Sequence, residues 1–375
     1  MTFPLIKFTD IVQDKSGGNK KLPQEFFLID GQYPVVDQSK KFIAGYINDQ
    51  EYLVKSTGLP VVIFGDHTKA IKFVDFPFAM GADGVKVLKP KDECDTKYLY
   101  HYLRYAKIPD AGYSRHFKFL KELEIPLPPL AEQRRIASIL DQADAVRQKR
   151  QQALEKLDQL LQATFIDMFG DPVSNPNNYK QVELDNFILV GPQNGLYKPA
   201  NMYGQGTPIV RIDGFKSGDI IDNKEFKRLS LEESDIEKYK LNKFDLVINR
   251  VNSPEYIGKT ALIRNLEEST VFESNMMRFA VDSSKLNTYY LLFFLKQQFV
   301  LNQIANKRKD AVNQSSINQQ DVKSLIINVP PIDSQIAFSN FFQKLEKNRN
   351  LFKQQVLNFD NLFKALQNQA FNGTL

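Results

Sequence analysis

Cysteine is almost absent. Cys94 stands alone in 375 residues, so no internal disulfide can form and no thiolate-rich metal site can be built within one chain. Histidine is nearly as scarce: His67, His101 and His116 are the full set, and their spacing fits neither a metal site nor a nucleophile motif. No run approaches the roughly 18 apolar residues that span a bilayer, and the opening MTFPLIKFTD has neither the basic start nor the apolar stretch of a signal peptide. The expectation is a soluble, cytoplasmic protein with no membrane partner. Charge of one sign is also lacking. With 49 basic and 44 acidic side chains the net charge is +5, too mild to hold nucleic acid by charge alone, so any recognition must lie in local clusters.

Two kinds of catalytic signature are missing as well. A methyltransferase needs a glycine-rich cofactor loop after a strand and an Asn/Asp-Pro-Pro-aromatic motif. Asn175-Pro176-Asn177-Asn178-Tyr179 lacks the second proline and follows a helix stop, which reads as a linker, and Gly204-Gln205-Gly206 follows the polar KPANMY, which reads as a turn. Glu225-Phe226-Lys227 has the shape of a nuclease Glu-x-Lys, yet no Pro-Asp precedes it at a fitting distance.

What the chain does contain is a repeat. IPLPPLAEQ at 125–133 returns as INVPPIDSQ at 327–335, displaced by 202 residues, and the same displacement carries Gln152 to Gln354, Asp158 to Asp360, Leu160 to Leu362, Ala163 to Ala365 and Phe169 to Phe371 without a gap. Upstream it also carries Ser114 to Ser316 and Leu123 to Leu325. Each repeated segment predicts one long amphipathic helix. After Pro129 the stripe runs Ile136, Leu140, Ala143, Arg147, Arg150, Leu154, Leu157, Leu161, Thr164, Met168; the second runs Phe338, Phe342, Leu345, Arg349, Phe352, Val356, Phe359, Phe363, Leu366, Ala370. This alternation of four and three is coiled-coil spacing. The double prolines open each helix, and Gly170-Asp171-Pro172 and Asn372-Gly373 stop them.

A single narrow stripe on each favours two helices packed on one another over core helices of two separate bundles. Chain order then makes them antiparallel about a pseudo-two-fold axis, with Ala143 near Phe359 and Thr164 near Phe338, small against large. At about 1.5 Å per residue each would be on the order of 60 Å long.

The fold class read from this pattern is α+β: two mixed α/β domains separated by a pair of long antiparallel coiled-coil helices, with a pseudo-two-fold internal repeat. The boundaries are 1–128 for the first domain, 129–170 for the first helix, 171–330 for the second domain and 331–375 for the second helix. Their net charges are about +2, 0, +1 and +2, so none is strongly basic. Strand-like runs fall at 60–64, 71–74 and 85–88 in the first domain, and at 208–212, 246–248 and 277–281 in the second. Each domain closes with a helix-like aromatic stretch, 97–105 or 287–306. A polar loop follows, AKIPDAGYSRHFKF or NKRKDAVNQSSINQQ, at equivalent places in the repeat.

With these words in view, the chain resembles the specificity subunits of Type I restriction-modification systems. LKELEIPLPPLAEQRRIASILDQADAVRQKRQQALEKLDQLLQATFIDMFGDP is similar to the first conserved region of that family. PQNGLYKPANMYGQGTPIVRIDGF with NRVNSPEYIGKTALI resembles one target recognition domain, and FGDHTKAIKF with GADGVKVLKP another. The second helix departs from the usual wording, with DSQIAFSNFF where the first has AEQRRIASIL.

The resemblance implies a non-catalytic reader of double-stranded DNA. Its two half-sites would be separated by a non-specific gap, with the helices as a ruler between two target recognition domains. It also implies two modification subunits that methylate adenine, and restriction/translocase subunits that cleave. S-adenosylmethionine, ATP and Mg would belong to those partners, with no cofactor and no metal on this chain.

The candidate DNA-binding residues in the first domain are Asp66, His67, Thr68, Lys69, Tyr113, Arg115, His116 and Lys118. In the second they are Gln193, Asn194, Tyr197, Lys198, Arg211, Asn249, Arg250, Asn252 and Lys259, with Lys307, Arg308, Lys309, Asn313 and Gln314 on the later loop. Arg and Lys suit guanine, Asn and Gln suit adenine, and the Lys-Arg-Lys cluster suits phosphate. A self-sufficient DNA-modifying enzyme and a two-domain scaffold without a DNA role are the alternatives.

Overall fold

The computed structural model describes residues 3–55, 58–110, 112, 114–216, 218–222, 225–312 and 314–375. The chain divides into two compact units, Met1–Leu154 with Phe352–Leu375, and Glu155–Leu351.

In the first unit an antiparallel sheet runs in the order Val12–Asp14, Val85–Pro90, Val61–Gly65, Ile71–Val74. Val61–Gly65 is buried at all five positions. Its alternate residues explain this: Val62 and Phe64 enter a core with Tyr98, Leu99 and Phe117, while Val61 and Ile63 enter another with Phe78, Met80 and Val87. A smaller sheet, in the order Lys21–Leu22, Ala79–Gly81, Tyr33–Val36, Gly45–Ile47, pairs Val35 with Ala79 in parallel. The helix Thr96–Tyr105 starts where the Asp95 carboxylate accepts hydrogen bonds from the backbone N–H of Lys97 and Tyr98. Two of its tyrosines reach the strand Glu124–Pro126: Tyr98 Oη donates to Pro126 O at 2.5 Å and Tyr102 Oη to Glu124 O at 2.7 Å.

The second unit repeats this plan. Its main sheet runs Ile188–Asn194, Met276–Val281, Leu246–Asn249, Thr260–Ile263, in the same order and with the same antiparallel senses, and Asp219–Ile221 adds in parallel at the far edge. Tyr203–Val210 pairs Ile209 with Val271 in parallel, as Val35 pairs with Ala79. A third sheet joins Val251–Asn252, Gln314–Ser316 and Lys309–Ala311. The aromatic stretch expected as one helix over 287–306 is two, Thr288–Leu295 and Gln298–Lys307. The break falls at Gln297, whose backbone is extended and whose side-chain amide donates to Phe293 O at 3.1 Å and also pairs with Gln162 at 2.9 Å. Every residue of Thr288–Leu295 is buried, as its apolar-all-round sequence TYYLLFFL requires.

One residue type ties each long helix to its unit. The repeated glutamine of the Pro-Pro segment is fully buried in both copies. Gln133 accepts from Asp95 N at 2.8 Å and donates to Glu93 O at 2.9 Å and Pro128 O at 2.8 Å. Gln335 accepts from Asn287 N and donates to Pro330 O, both at 2.8 Å. Asn287 caps its helix as Asp95 does, and Tyr290 Oη donates to Asn328 O at 2.8 Å, matching Tyr98. Asp95, Tyr98 and Arg104 thus correspond to Asn287, Tyr290 and Lys296 at a displacement of 192, ten short of that of the Pro-Pro segments.

The long helices span Leu130–Phe169 and Ile332–Asn372. Within each unit their segments run antiparallel. In the first, Arg135 Nη2 donates to Leu375 O at 2.9 Å, and Arg147 meets Asp360 at 3.4 Å and lies over the Phe363 ring. In the second, Arg349 meets Asp158 at 3.1 Å and Phe165 packs on Phe338 with ring centroids 5.4 Å apart.

The two ion pairs are images of one another under the 202-residue displacement, Arg147 to Arg349 and Asp158 to Asp360. Each arginine also pairs three residues back, with Asp144 at 2.7 Å and Glu346 at 3.2 Å. Among the described residues, no apolar side chain between Asp144 and Leu161, or between Glu346 and Phe363, is buried, so charge pairs take over where only a neighbouring helix offers cover.

At the expected meeting of Thr164 and Phe338, the contacts are aromatic on aromatic, from the residue next to Thr164 onward. Phe338 packs on Phe165 and Phe169, which also face Tyr290. A straight helix drifts about 20° per heptad from a strict 3.5 repeat, so Phe165 and Phe169 turn fully into the core of the second unit, while Met168 packs half-buried at its margin.

Candidate nucleic-acid interface

In the first unit the candidates meet at one end of the main sheet. Val61–Gly65 runs into the turn at Asp66, and that turn is stitched to His116 and Phe117, where the helix Phe117–Lys121 begins. Asp66 Oδ1 accepts from Phe117 N at 2.7 Å, and Asp66 O accepts from His116 N at 2.8 Å. Asp66 and His116 are both buried, so they hold the two loops together. The exposed members are Thr68, Arg115 and Lys118, with His67 and Lys69 half-buried. Lys69 Nζ pairs with Asp110 at 3.2 Å, and that bond holds the Asp110 carboxyl below its usual range. Lys118 lies over the Phe119 ring, while Arg115 makes no ion pair among the described residues. Tyr113 lies outside the described residues.

Gln38, from outside these loops, braces the turn. Its Oε1 accepts from His67 N at 3.2 Å, and its backbone carbonyl accepts the Thr68 hydroxyl. A side chain on Gly65 would clash with Thr68 Oγ1 and lie 2.9 Å from Gln38 O, so glycine is what the close approach allows.

In the second unit the candidates separate into three groups. Gln193 and Lys198 face the helix Glu233–Tyr239: Gln193 Nε2 donates to Lys238 O at 3.0 Å, and Lys198 pairs with Asp235 at 2.7 Å, which raises the lysine pKa. Arg211 lies 3.6 Å from Glu273, and Lys259 Nζ donates to Ile212 O at 2.9 Å while lying over the Phe215 ring. Burial pushes the Glu273 carboxyl up, against the Ile212 N–H and Arg211, so Arg211 is engaged in holding a buried charge.

The third group surrounds the three-stranded sheet. Asn249 is buried, Arg250 and Asn252 are half-buried, and Lys309 and Gln314 are exposed on the hairpin paired with Val251–Asn252. Arg308 is held by Asp310 at 3.0 Å and Lys307 donates to Ser324 Oγ at 2.9 Å, so the Lys-Arg-Lys cluster presents Lys309 most openly. Tyr197 is 77% exposed. Asn313 lies outside the described residues.

Asn194 and Arg250 share a cleft of about 520 Å³ with Asn318, Gln319, Gln320 and Lys323, which were not among the expected site residues. Their signal was present as a capping box: Asn318 Oδ1 accepts from the Gln320 and Asp321 N–H, and Asp321 Oδ2 accepts from Asn318 N. That box starts the short helix Gln319–Lys323 at the place where Phe117–Lys121 follows the first unit's loop, again 202 residues apart.

Among the described residues, no group of three or more His, Cys, Asp or Glu side chains is placed to hold a metal ion, and no helix is long and apolar enough to cross a membrane. Cys94 is buried, and burial, followed by the Asp95 and Glu93 carboxylates, pushes its thiol up to about 12.

The repeated scaffold, the long helices and the loop clusters define a class. The chain belongs to the Type I restriction modification DNA specificity domain family, which matches residues 6–156 and 176–358. It is 27% identical over 271 residues to the specificity subunit of the Type I restriction enzyme EcoKI of Escherichia coli K12, covering 68% of this chain and 58% of that one. It is 30% identical over 199 residues to the putative Type I MjaX specificity subunit of Methanocaldococcus jannaschii, covering 52% and 46%. The chain therefore spans about half the length of these relatives.

Among solved structures, the Type I restriction-modification S subunit from M. genitalium matches with a TM-score of 0.63 at 13% identity, over 99% of this chain and 96% of that one. A chain from a study of complex assembly and conformational transition of the type I R-M system matches with a TM-score of 0.50 at 16% identity, over 100% and 98%. These likenesses establish the fold.

Proposed function

We propose that this chain is the DNA-recognition subunit of a Type I restriction-modification complex, reading a bipartite, asymmetric target. In this reading 1–128 and 171–330 are the two target recognition domains, and 129–170 and 331–375 are the helices that join them. The observation that carries it is the duplication of one scaffold with unlike loops. Strand order, cap, tyrosine and glutamine latch recur in both units, while the loops differ: Asp66–Lys69 and Arg115–Lys118 in one, Asn249–Asn252 and Lys309–Gln314 in the other. Two copies of one frame with different polar loops suit two different half-sites, with lysines positioning on phosphate and amide and arginine forks meeting base edges.

On this reading the chain performs no chemistry itself. Two modification subunits dock on it to methylate adenine, restriction/translocase subunits join for cleavage, and S-adenosylmethionine, ATP and Mg are bound by those partners in the cytoplasm. The test is adenine-methylation mapping in cells that express the chain with its modification subunits. The expected result is one motif of two unlike half-sites separated by a gap of fixed length. A continuous motif, or no adenine motif that depends on this chain, overturns the proposal.

A further inference from the structure

The cleft between Asn194 and the short helix Gln319–Lys323 has features that set it apart from the other loop surfaces. Six side chains line it, and none is acidic. Asn194, Gln319 and Gln320 are exposed, and their side-chain amides have no hydrogen-bond partner among the described residues. Lys323, on the wall, is held by Asp185 at 3.0 Å. Asn318 is committed to its capping box, and Arg250 is held by both backbone and side chain. Its N–H donates to Asn275 O at 2.8 Å, its carbonyl accepts from Ile317 N at 2.9 Å, and its Nη1 donates to Ser274 O at 3.0 Å.

A guanidinium carries five N–H donors, and this one has a single acceptor among the described residues, so it is anchored at one nitrogen while most of the fork stays unspent. Its Nε is buried and has no hydrogen-bond partner among the described residues. A pre-oriented, under-used arginine fork beside unpaired amides matches the major-groove edge of a guanine, which offers O6 and N7 as a pair of acceptors.

Building on the DNA-reading role proposed above, we propose that Arg250 reads a guanine in the half-site bound by the second unit, and that Asn194 and Gln319 contact the neighbouring base pair. Ser274 O is the positioning group, holding the fork for the base. A phosphate contact predicts otherwise, because its loss weakens binding equally for every sequence, whereas loss of a bidentate base contact relaxes the preference at one position.

The test measures R250K and N194A in complex with the modification subunits, by methylation mapping and by gel shift on duplexes carrying each of the four bases at every position of that half-site. R250K is expected to lose roughly tenfold or more of the preference for guanine at one position, with the other half-site unchanged. N194A, which removes a side chain that holds no bond among the described residues, is expected to relax an adjacent position without altering thermal melting. An unchanged half-site in both variants overturns the inference while leaving the DNA-reading role intact, and so does a uniform loss across all four bases. If R250K melts early, N194A alone decides, by the same criterion. A wild-type complex that shows no half-site preference refutes the DNA-reading role itself.

Discussion

Replacing Gln133 with alanine removes a side chain that joins three segments in a fully buried place. The Asp95 N–H loses its acceptor, and the Glu93 and Pro128 carbonyls lose their donor. At about 1 kcal/mol for each buried hydrogen bond, the loss is about 3 kcal/mol, before any penalty for the small cavity. One tenfold step in an equilibrium is about 1.4 kcal/mol, so local opening becomes roughly 150-fold more frequent. The loss should register where the bonds are, at the start of Thr96–Tyr105 and of the long helix. Hydrogen exchange read by mass spectrometry on the native protein resolves this: amides of 96–105 exchange about two orders of magnitude faster, while those of 288–295 keep their wild-type rates. Gln335→Ala, with two such bonds, reverses the pattern at about 2 kcal/mol. A change below about fivefold in 96–105, or an equal change in 288–295, refutes the idea that this glutamine fastens its own unit.

Other expectations follow from the helices, the thiol and the missing motifs. In a double-mutant cycle on Arg147 and Asp360, about one-third exposed and 3.4 Å apart, the coupling is about 0.5 kcal/mol, and the Arg349–Asp158 pair gives a similar value; a zero coupling in both would show that the charges do not hold the pairing. Cys94 in the native protein resists iodoacetamide at pH 8, where a thiol with a pKa of about 12 is only about one part in ten thousand ionised, and reacts at once in denaturant; rapid native labelling would contradict its burial. The purified chain alone, given S-adenosylmethionine or ATP and Mg, shows no methyl transfer and no cleavage, since it lacks a glycine-rich cofactor loop; turnover without partners would place it among self-sufficient enzymes.

The long helices were legible because a periodic stripe and a repeat are local patterns. Gln133 and Gln335 were visible as matched letters, though their latch to Asp95 and Asn287 was not, since it bridges about 40 residues or more of chain. The displacement of 192 was hard to see because its identities, Thr96 with Thr288, Tyr98 with Tyr290, Leu99 with Leu291 and Leu103 with Leu295, fall in one short stretch out of phase with the longer repeat, while its functional pairs, Asp95 with Asn287 and Arg104 with Lys296, are only chemically similar. Polar loop residues were named as candidate DNA contacts from their type and place alone. Asp66 and His116 are buried because two distant loops close on them, which no local window encodes. In the same way Phe165 and Phe169 are the fully buried residues at the end of that helix, because Tyr290 lies on their side. The break at Gln297 also depends on a tertiary contact, its pairing with Gln162.

The most direct test of the account exchanges residues 171–330 for the corresponding region of a related specificity subunit and maps methylated adenines in cells carrying the hybrid with its modification subunits. One half-site is expected to change to that of the donor, while the half-site read by 1–128 is retained. If both half-sites change together, or neither does while methylation continues, the two domains do not read independently.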